Sequence, residues 1–341
     1  MAQQWSATMT RTLNSAADPA DPAGQPTPNA DEMIEASDDG YETASARSVP
    51  SFDGTMSLSA SVRDYAFEND RRYHRYREGR YHFPNDDPEQ QREYIKHIIM
   101  TSLLGGELFQ APLKTPQKVL DVGTGTGYPG AAVVGNDLSP IWPDWVPPNT
   151  KFVVDDAEAE WYYERDSYDL IRLGNMAPSI HDWPKLLESA YKTLKPGGWI
   201  ELQEMRWVYG CDDGTIPNDY APVTMVENIK EGLARFGIDM NAAEQNPGRV
   251  EAAGFVNVLH QVKKVPVGRW PRNKFLRTIG LYTLSVIYDG LHAITIGPFT
   301  RGLGWTADQV ERFLVQVRKD LMDPSVHSYV YFHALSGQKP L

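Results

Sequence analysis

Cysteine is almost absent: Cys211 stands alone among 341 residues. No intrachain disulfide can form, and such a chain suits a reducing compartment, here expected to be the cytoplasm or the nucleus. Long apolar runs are missing too. None reaches the roughly 18 residues of a conventional membrane-spanning helix, so no membrane partner is expected. The first residues lack a basic stretch followed by an apolar core, and no secretory signal is expected. The eight histidines form no H-x-x-x-H pair and paired cysteines do not exist, which leaves no metal-binding motif. A G-x-S-x-G elbow, the mark of many serine hydrolases, is absent. Positive charge is in short supply: the formal net charge of −12 gives no electrostatic footprint for direct nucleic-acid binding.

What is present is unevenly distributed. Residues 1–62 hold nine acidic side chains against two basic ones, amid much Ala, Asp, Pro, Ser and Thr. Such a segment cannot bury enough apolar surface to offset its ordering entropy, which predicts a disordered acidic tail. The rest, 63–341, is near charge balance and reads as one domain. Its parts are an N-terminal cap (63–115), a cofactor-binding core (116–205), a substrate lid (206–305), and a C-terminal helix and strand (306–341). In the cap, Tyr73, Tyr76 and Tyr81 interleave with Arg71, Arg72, Arg75, Arg77 and Arg80. Basic residues among aromatics can bind nucleic acid or import factors. With charge so nearly balanced, an amphipathic segment packing its tyrosines on the domain is the preferred reading.

Apolar runs over 118–122, 131–135, 151–154, 168–173 and 199–204 read as strands, and 89–104 and 185–194 as helices. This alternation predicts an α/β fold with a doubly wound, mostly parallel sheet. Further on, helices are expected over 225–236, 273–288 and 306–321, the last opened by the capping box Thr306-Ala307-Asp308-Gln309. Strands are expected over 256–262 and 328–335.

The chemistry gathers at strand ends. VLDVGTGTG (119–127) runs an apolar strand into Gly123, Gly125 and Gly127, where the backbone must turn sharply and a ligand must approach without a Cβ between. Nicotinamide and flavin sites also use glycine loops. Asp121 distinguishes this one, since its carboxylate can organise the loop and approach the amino group of an amino-acid-like cofactor. Asp137 follows the second strand, placed to accept both hydroxyls of a ribose; a carboxylate capping the turn before Ser139-Pro140 would read the same way. Asp155 and Asp156 close the third strand, where a carboxylate beside a backbone amide suits an adenine edge. His181, shortly after the fourth strand, is the candidate general base for a hydroxyl acceptor; it would serve equally as a residue entering the next helix. Trp207, Tyr209, Trp270, Tyr282 and Phe299 are candidate walls for the acceptor.

Together VLDVGTGTG, NDLSPIWPDWVPP, VDDAEAEW, YDLIRLGNM and LKPGGWIELQE resemble the fungal LaeA-like methyltransferases, a Rossmann-type family linked to secondary metabolism. YHFPNDDPEQQREYIKHI and the C-terminal GWTADQVERFLVQVRKDLMDPSVHSYVYFHALSGQKP extend the resemblance over residues 63–341. It implies a class I fold and S-adenosylmethionine as cofactor. Carried over by position, it assigns Asp121, Gly123, Gly125 and Gly127 to the cofactor's amino-acid end, Asp137 to the ribose, and Asp155 with Asp156 to the adenine. Asn175 and Met176 would face the sulfonium, and Tyr81, Pro84 and Asn85 would cap the pocket. The expected partner is a small-molecule or protein methyl acceptor, and a regulatory protein complex in the nucleus is compatible with the resemblance.

One departure stands out. Only Tyr128-Pro129-Gly130 separate the glycine loop from the expected second strand, whereas a parallel crossover usually takes a dozen residues or more, generally a helix. An altered gene model, a local rearrangement, or a non-catalytic regulatory scaffold would each account for it. A nicotinamide-dependent oxidoreductase is the remaining alternative, but it would want a third glycine where Tyr128 stands.

Overall fold

In the computed structural model, residues 29–34, 64–69, 71–123, 131–141 and 149–341 are described. The Tyr- and Arg-rich segment folds as an antiparallel hairpin of β1 (Tyr65–Glu68) and β2 (Arg71–His74). Helix α1 (Asp87–Leu103) follows, started by the Asp86 side chain accepting from the Glu89 N–H with proline in the first turn. The core then runs β3 (Lys118–Val122), β4 (Ala132–Asp137), β5 (Thr150–Val154), β6 (Tyr168–Gly174), α2 (Trp183–Thr193) and β7 (Leu194–Cys211). The remainder is α3 (Ala221–Ala234), α4 (Ala242–Ala252), β8 (Val256–Pro266), α5 (Lys274–Gly297), α6 (Ala307–Leu321) and β9 (Ser328–Gln338), with a π-helical turn, Pro298–Gly302, after α5.

Seven strands form one sheet in the order β5-β4-β3-β6-β7-β9-β8. Pairings among β5, β4, β3, β6 and β7 are parallel, while β9 runs antiparallel to both β7 and β8. The expected doubly wound, mostly parallel sheet is therefore found. Its central strands are apolar on both faces because both faces are covered. Leu120, Val122, Ile171 and Leu173 pack with Leu186 and Leu187 of α2 and Val250 of α4. On the opposite face Val119, Val133 and Leu170 meet Ala111 and Trp199, with Leu108 and Phe109 packed against them. Helices α1, α3, α5 and α6 build a second, larger core against the antiparallel half, around Met205, Val265, Val330 and Phe332.

Neighbours β3 and β4 are parallel, with Lys118 opposite Ala132 and Val122 opposite Asn136. Nine residues join them, of which 124–130, including Tyr128-Pro129-Gly130, Gly125 and Gly127, lie outside the described residues. Returning along a five-residue strand needs roughly 17 Å, and nine residues reach about 30 Å when extended. A dozen-residue crossover is therefore not obligatory here, and the sheet registers without it.

Two other expectations are corrected. Residues 29–34, expected within the disordered tail, dock on the sheet edge: Asn29 bridges Lys263, and Ile34 is buried with Trp270, Leu276 and Tyr329. The rest of 1–62 lies outside the described residues. Helix α4 was not expected, because Asn246-Pro247-Gly248 interrupts its apolar period; Pro247 sits inside the helix. Finally, α5 with the following turn is long and apolar enough to cross a membrane by length and composition, yet most of it is buried against the other helices.

Candidate functional site

The C-terminal ends of β3, β4, β5 and β6 open into one cavity, roofed by residues 81–85 and α1. This is where open α/β sheets bind ligands. Gly123 turns the chain out of β3 at φ +78°, a conformation that disfavours side chains, and a Cβ there would stand 2.6 Å from Met176 Sδ. Asn175 also takes a positive φ, +53°. The Asn175 Oδ1 accepts from the Met205 N–H at 3.4 Å, and Glu204 accepts the N–H groups of Met176 and Ala177 at 2.9 and 3.2 Å. Burial raises the Glu204 carboxyl to about 7, against the pull of those two N–H groups and of Lys96 and Arg172.

Asp137 ends β4 and lines the cavity. Its carboxyl is raised to about 6, chiefly by burial, while the Ser139 N–H opposes the rise and the charge of Glu93 adds to it. Gly123, Asp137, Asp155, Asp156, Asn175 and Met176 all line this cavity, as do Tyr81, Pro84 and Asn85 of the cap. The cap is tied down by Asn85 Nδ2 donating to Ser139 Oγ at 3.2 Å.

Two of the expected ligand groups are turned elsewhere. Asp121 is buried and is not a cavity-lining residue; its Oδ1 accepts from Arg172 at 2.9 Å. Arg172 in turn donates to Gln203 Oε1, and Gln203 donates to Glu201 and to the Leu108 carbonyl. The acidic residue before the glycine loop thus holds the floor of the site together across β3, β6 and β7, and does not reach for a ligand. Asp156 is gripped by Arg80, through Nε at 2.9 Å, and by Arg77. Its backbone N–H donates to Asp155 Oδ1 at 2.8 Å, so the amide expected to meet an adenine ring is already engaged.

His181 is not a cavity-lining residue either. Its Nδ1 pairs with Glu158 at 3.0 Å, and Glu158 also takes the His181 and Asp182 N–H groups and Arg80. This placement gives His181 a structural task at the entry to α2 and does not support the general-base role. Of the expected acceptor walls, Trp207 and Tyr209 line the cavity. Trp270, Tyr282 and Phe299 do not; they are core side chains, the Trp270 indole donating to the Ser328 carbonyl.

Sequence reasoning missed a set of charges on α1, three of them buried and Glu93 half-buried. Glu89, Arg92, Glu93 and Lys96 line the cavity, with Arg92 bridging Glu89 and Glu93, and Lys96 bridging Glu93 at 2.8 Å. Gly290 of α5 gives Arg92 its path, since a Cβ there would lie 2.6 Å from Arg92 Cδ. The signal was charge at i, i+3, i+4 and i+7 on a helix otherwise carrying Ile95, Ile99 and Leu103 inward. A charged stripe on a helix is ordinarily solvated, and only the fold shows this one turned into a cavity.

Comparison with known proteins shows the family. Residues 89–261 match the methyltransferase domain family. The chain is 40% identical over 306 residues to the methyltransferase pytC of Aspergillus terreus, covering 86% of this chain and 94% of that protein. It is 34% identical over 289 residues to the secondary metabolism regulator LAE1 of Cochliobolus heterostrophus, covering 80% of this chain and 94% of that protein. Among solved structures, phosphoethanolamine N-methyltransferase 2 of Haemonchus contortus with S-adenosyl-L-methionine aligns at 19% identity and a TM-score of 0.40, over 74% of this chain; the chain spans 53% of that one's length. Family match, curated relatives and strand order converge: the chain belongs to the LaeA-like family of S-adenosylmethionine-dependent methyltransferases.

Proposed function

We propose that this chain transfers a methyl group from S-adenosylmethionine to an acceptor of fungal secondary metabolism, using the cavity at the strand ends. The observation that carries the reading is Asp137 at the end of β4, opening into the same cavity as Gly123 and Met176. The residues suit the cofactor. The missing Cβ of Gly123 leaves room beside Met176, and the Asp137 carboxylate can accept two ribose hydroxyls. When bound, S-adenosylmethionine supplies a sulfonium methyl group that a nucleophilic acceptor atom takes.

The remaining work is done by the protein. Asp137 orients the ribose, and Asp155 at the end of β5 takes the exocyclic amine of the adenine. The loop Asn175–Met176, pinned by Glu204, sets the place of the methyl group. Asp121 and Asp156 act as positioning residues, the first through Arg172 and the second through Arg80. The cap residues Tyr81, Pro84 and Asn85 exclude water. Alignment of this kind supplies several kcal/mol without acid–base chemistry.

Two relatives named as secondary metabolism regulators support a second reading, in which the domain regulates secondary metabolism. Calorimetry with S-adenosylhomocysteine tests the first. Binding is expected, weakened at least about tenfold, roughly 1.4 kcal/mol, in Asp137→Ala. A chain that folds but takes no S-adenosylhomocysteine, or is stabilised by NAD instead, overturns it.

A further inference from the structure

The cavity changes character along its length. Its strand-end part carries Asp137 and Asp155, with the α1 charges close by: Glu93 acts electrostatically on Asp137, and Lys96 on Glu204. Those α1 groups are committed to one another, Arg92 to Glu89 and Glu93, and Lys96 to Glu93. The wall built by the extension of β7, α3 and α5 is different. Trp207, Tyr209, Met225, Ile229, Val286 and Ile287 form it, and none carries a charge; the Tyr209 phenol is held well above its ordinary pKa by burial. Met225, Val286 and Ile287 line the cavity yet are buried, so the chamber on this side is backed by the interior of the fold.

An occupant with a net charge would lose its water here and meet on that side only Arg92, which lies against Gly290 of α5 and is already paired with Glu89 and Glu93. A peptide would bring backbone amides, each costly when buried without a partner, to a wall offering only an indole N–H and a phenol. Resting on the methyl-transfer reading, we propose that this chamber holds the methyl acceptor and selects a small, uncharged, apolar molecule. Trp207 and Tyr209 provide flat faces for a ring, and Met225 can reshape around an irregular one. Ile229 and Ile287 set the width.

The test uses the full chain saturated with S-adenosylhomocysteine and the uncharged fluorescent probe N-phenyl-1-naphthylamine. Probe binding is expected, with displacement by 2-naphthol at least about tenfold better than by 2-naphthoate or 2-naphthylmethylammonium, in line with the cost of an unpaired charge. Ile287→Asp and the space-filling Ile229→Trp are each expected to abolish probe binding while S-adenosylhomocysteine affinity stays within about twofold; retained cofactor affinity shows that the variants fold. Probe binding unaffected by both variants, equal displacement by the charged naphthalenes, or better displacement by N-acetyl-Gly-Met-Gly-amide than by 2-naphthol would overturn the proposal. Loss of S-adenosylhomocysteine binding by the unaltered chain would instead strike the methyl-transfer reading beneath it.

Discussion

Asp137 ends β4 among neighbours that disfavour its charge. Burial and the Glu93 carboxylate, bridged on α1 to Arg92 and Lys96, raise it to about 6, and the N–H groups of Leu138 and Ser139 hold it from rising further. Two hydroxyls are best accepted by the ionised form. The contribution of Asp137 to cofactor affinity is therefore expected to be complete above about pH 7 and to fall as pH drops through about 6, approaching tenfold per unit. Asp137→Asn should flatten that profile at the weaker value. Stability has the opposite sign: a carboxyl whose folded pKa is raised stabilises the fold at low pH, and that contribution is lost as pH rises through about 6. Calorimetry with S-adenosylhomocysteine between pH 5 and 8, about the range the titration spans, checks the profile. An affinity independent of pH in the native chain would show that Asp137 does not touch the ligand. The position of Asp137 was legible from an apolar strand ending in a carboxylate. Its altered pKa was not, because Glu93 reaches it from a helix more than forty residues earlier in the chain.

At the scale of elements, the cap and the core are joined by one ionic knot. Arg80, before the cap residues, grips Asp156 after β5 and Glu158 beyond it; Glu158 takes two N–H groups at the entry to α2. Asp156 and Glu158 are both nearly buried, so their charges need this partner. Arg80→Ala is expected to loosen the cap and weaken S-adenosylhomocysteine binding about tenfold. Arg80→Lys should restore only part of it, because an ammonium cannot make the forked contact. Unchanged binding in Arg80→Ala, measured beside its melting temperature, would mean that the knot is scenery for the site. The elements themselves were largely readable. Strands β3 to β6 announce themselves as short apolar runs, and α6 by its capping box, which is formed as expected. What escaped was tertiary by nature. The pairing of Arg80 with Asp156 spans 76 positions, and no local pattern distinguishes Asp121 facing a ligand from Asp121 facing Arg172.

Across the whole molecule, the acidic N-terminal stretch and the sheet are connected. Ala30 donates to the Val262 carbonyl at 3.0 Å, and the Ile34 N–H donates to Asp212. Lys264 joins the Glu32 carbonyl to the Asp212 carboxylate, and Tyr329 donates to the same carboxylate. Ile34 fills the space between Trp270, Leu276 and Tyr329. Composition predicted disorder here because it averages over 62 residues, and one isoleucine with a matching pocket is invisible to an average. Strand β8 is one of the two edge strands of the sheet, and exposed edges invite pairing with other chains. Residues 29–34 cover part of that edge. Ile34→Ala removes a buried side chain whose burial is worth about 2 kcal/mol, and should lower the melting temperature by several degrees without changing S-adenosylhomocysteine affinity, since the segment lies beside β8 and far along the sheet from β4. Deleting residues 1–34 should add concentration-dependent self-association, read by light scattering, as the uncovered edge of β8 becomes free to pair. A truncated chain that melts where the full chain does and stays monodisperse would show that the segment neither stabilises nor shields. A truncated chain that melts lower yet remains monodisperse would assign the segment to stability alone.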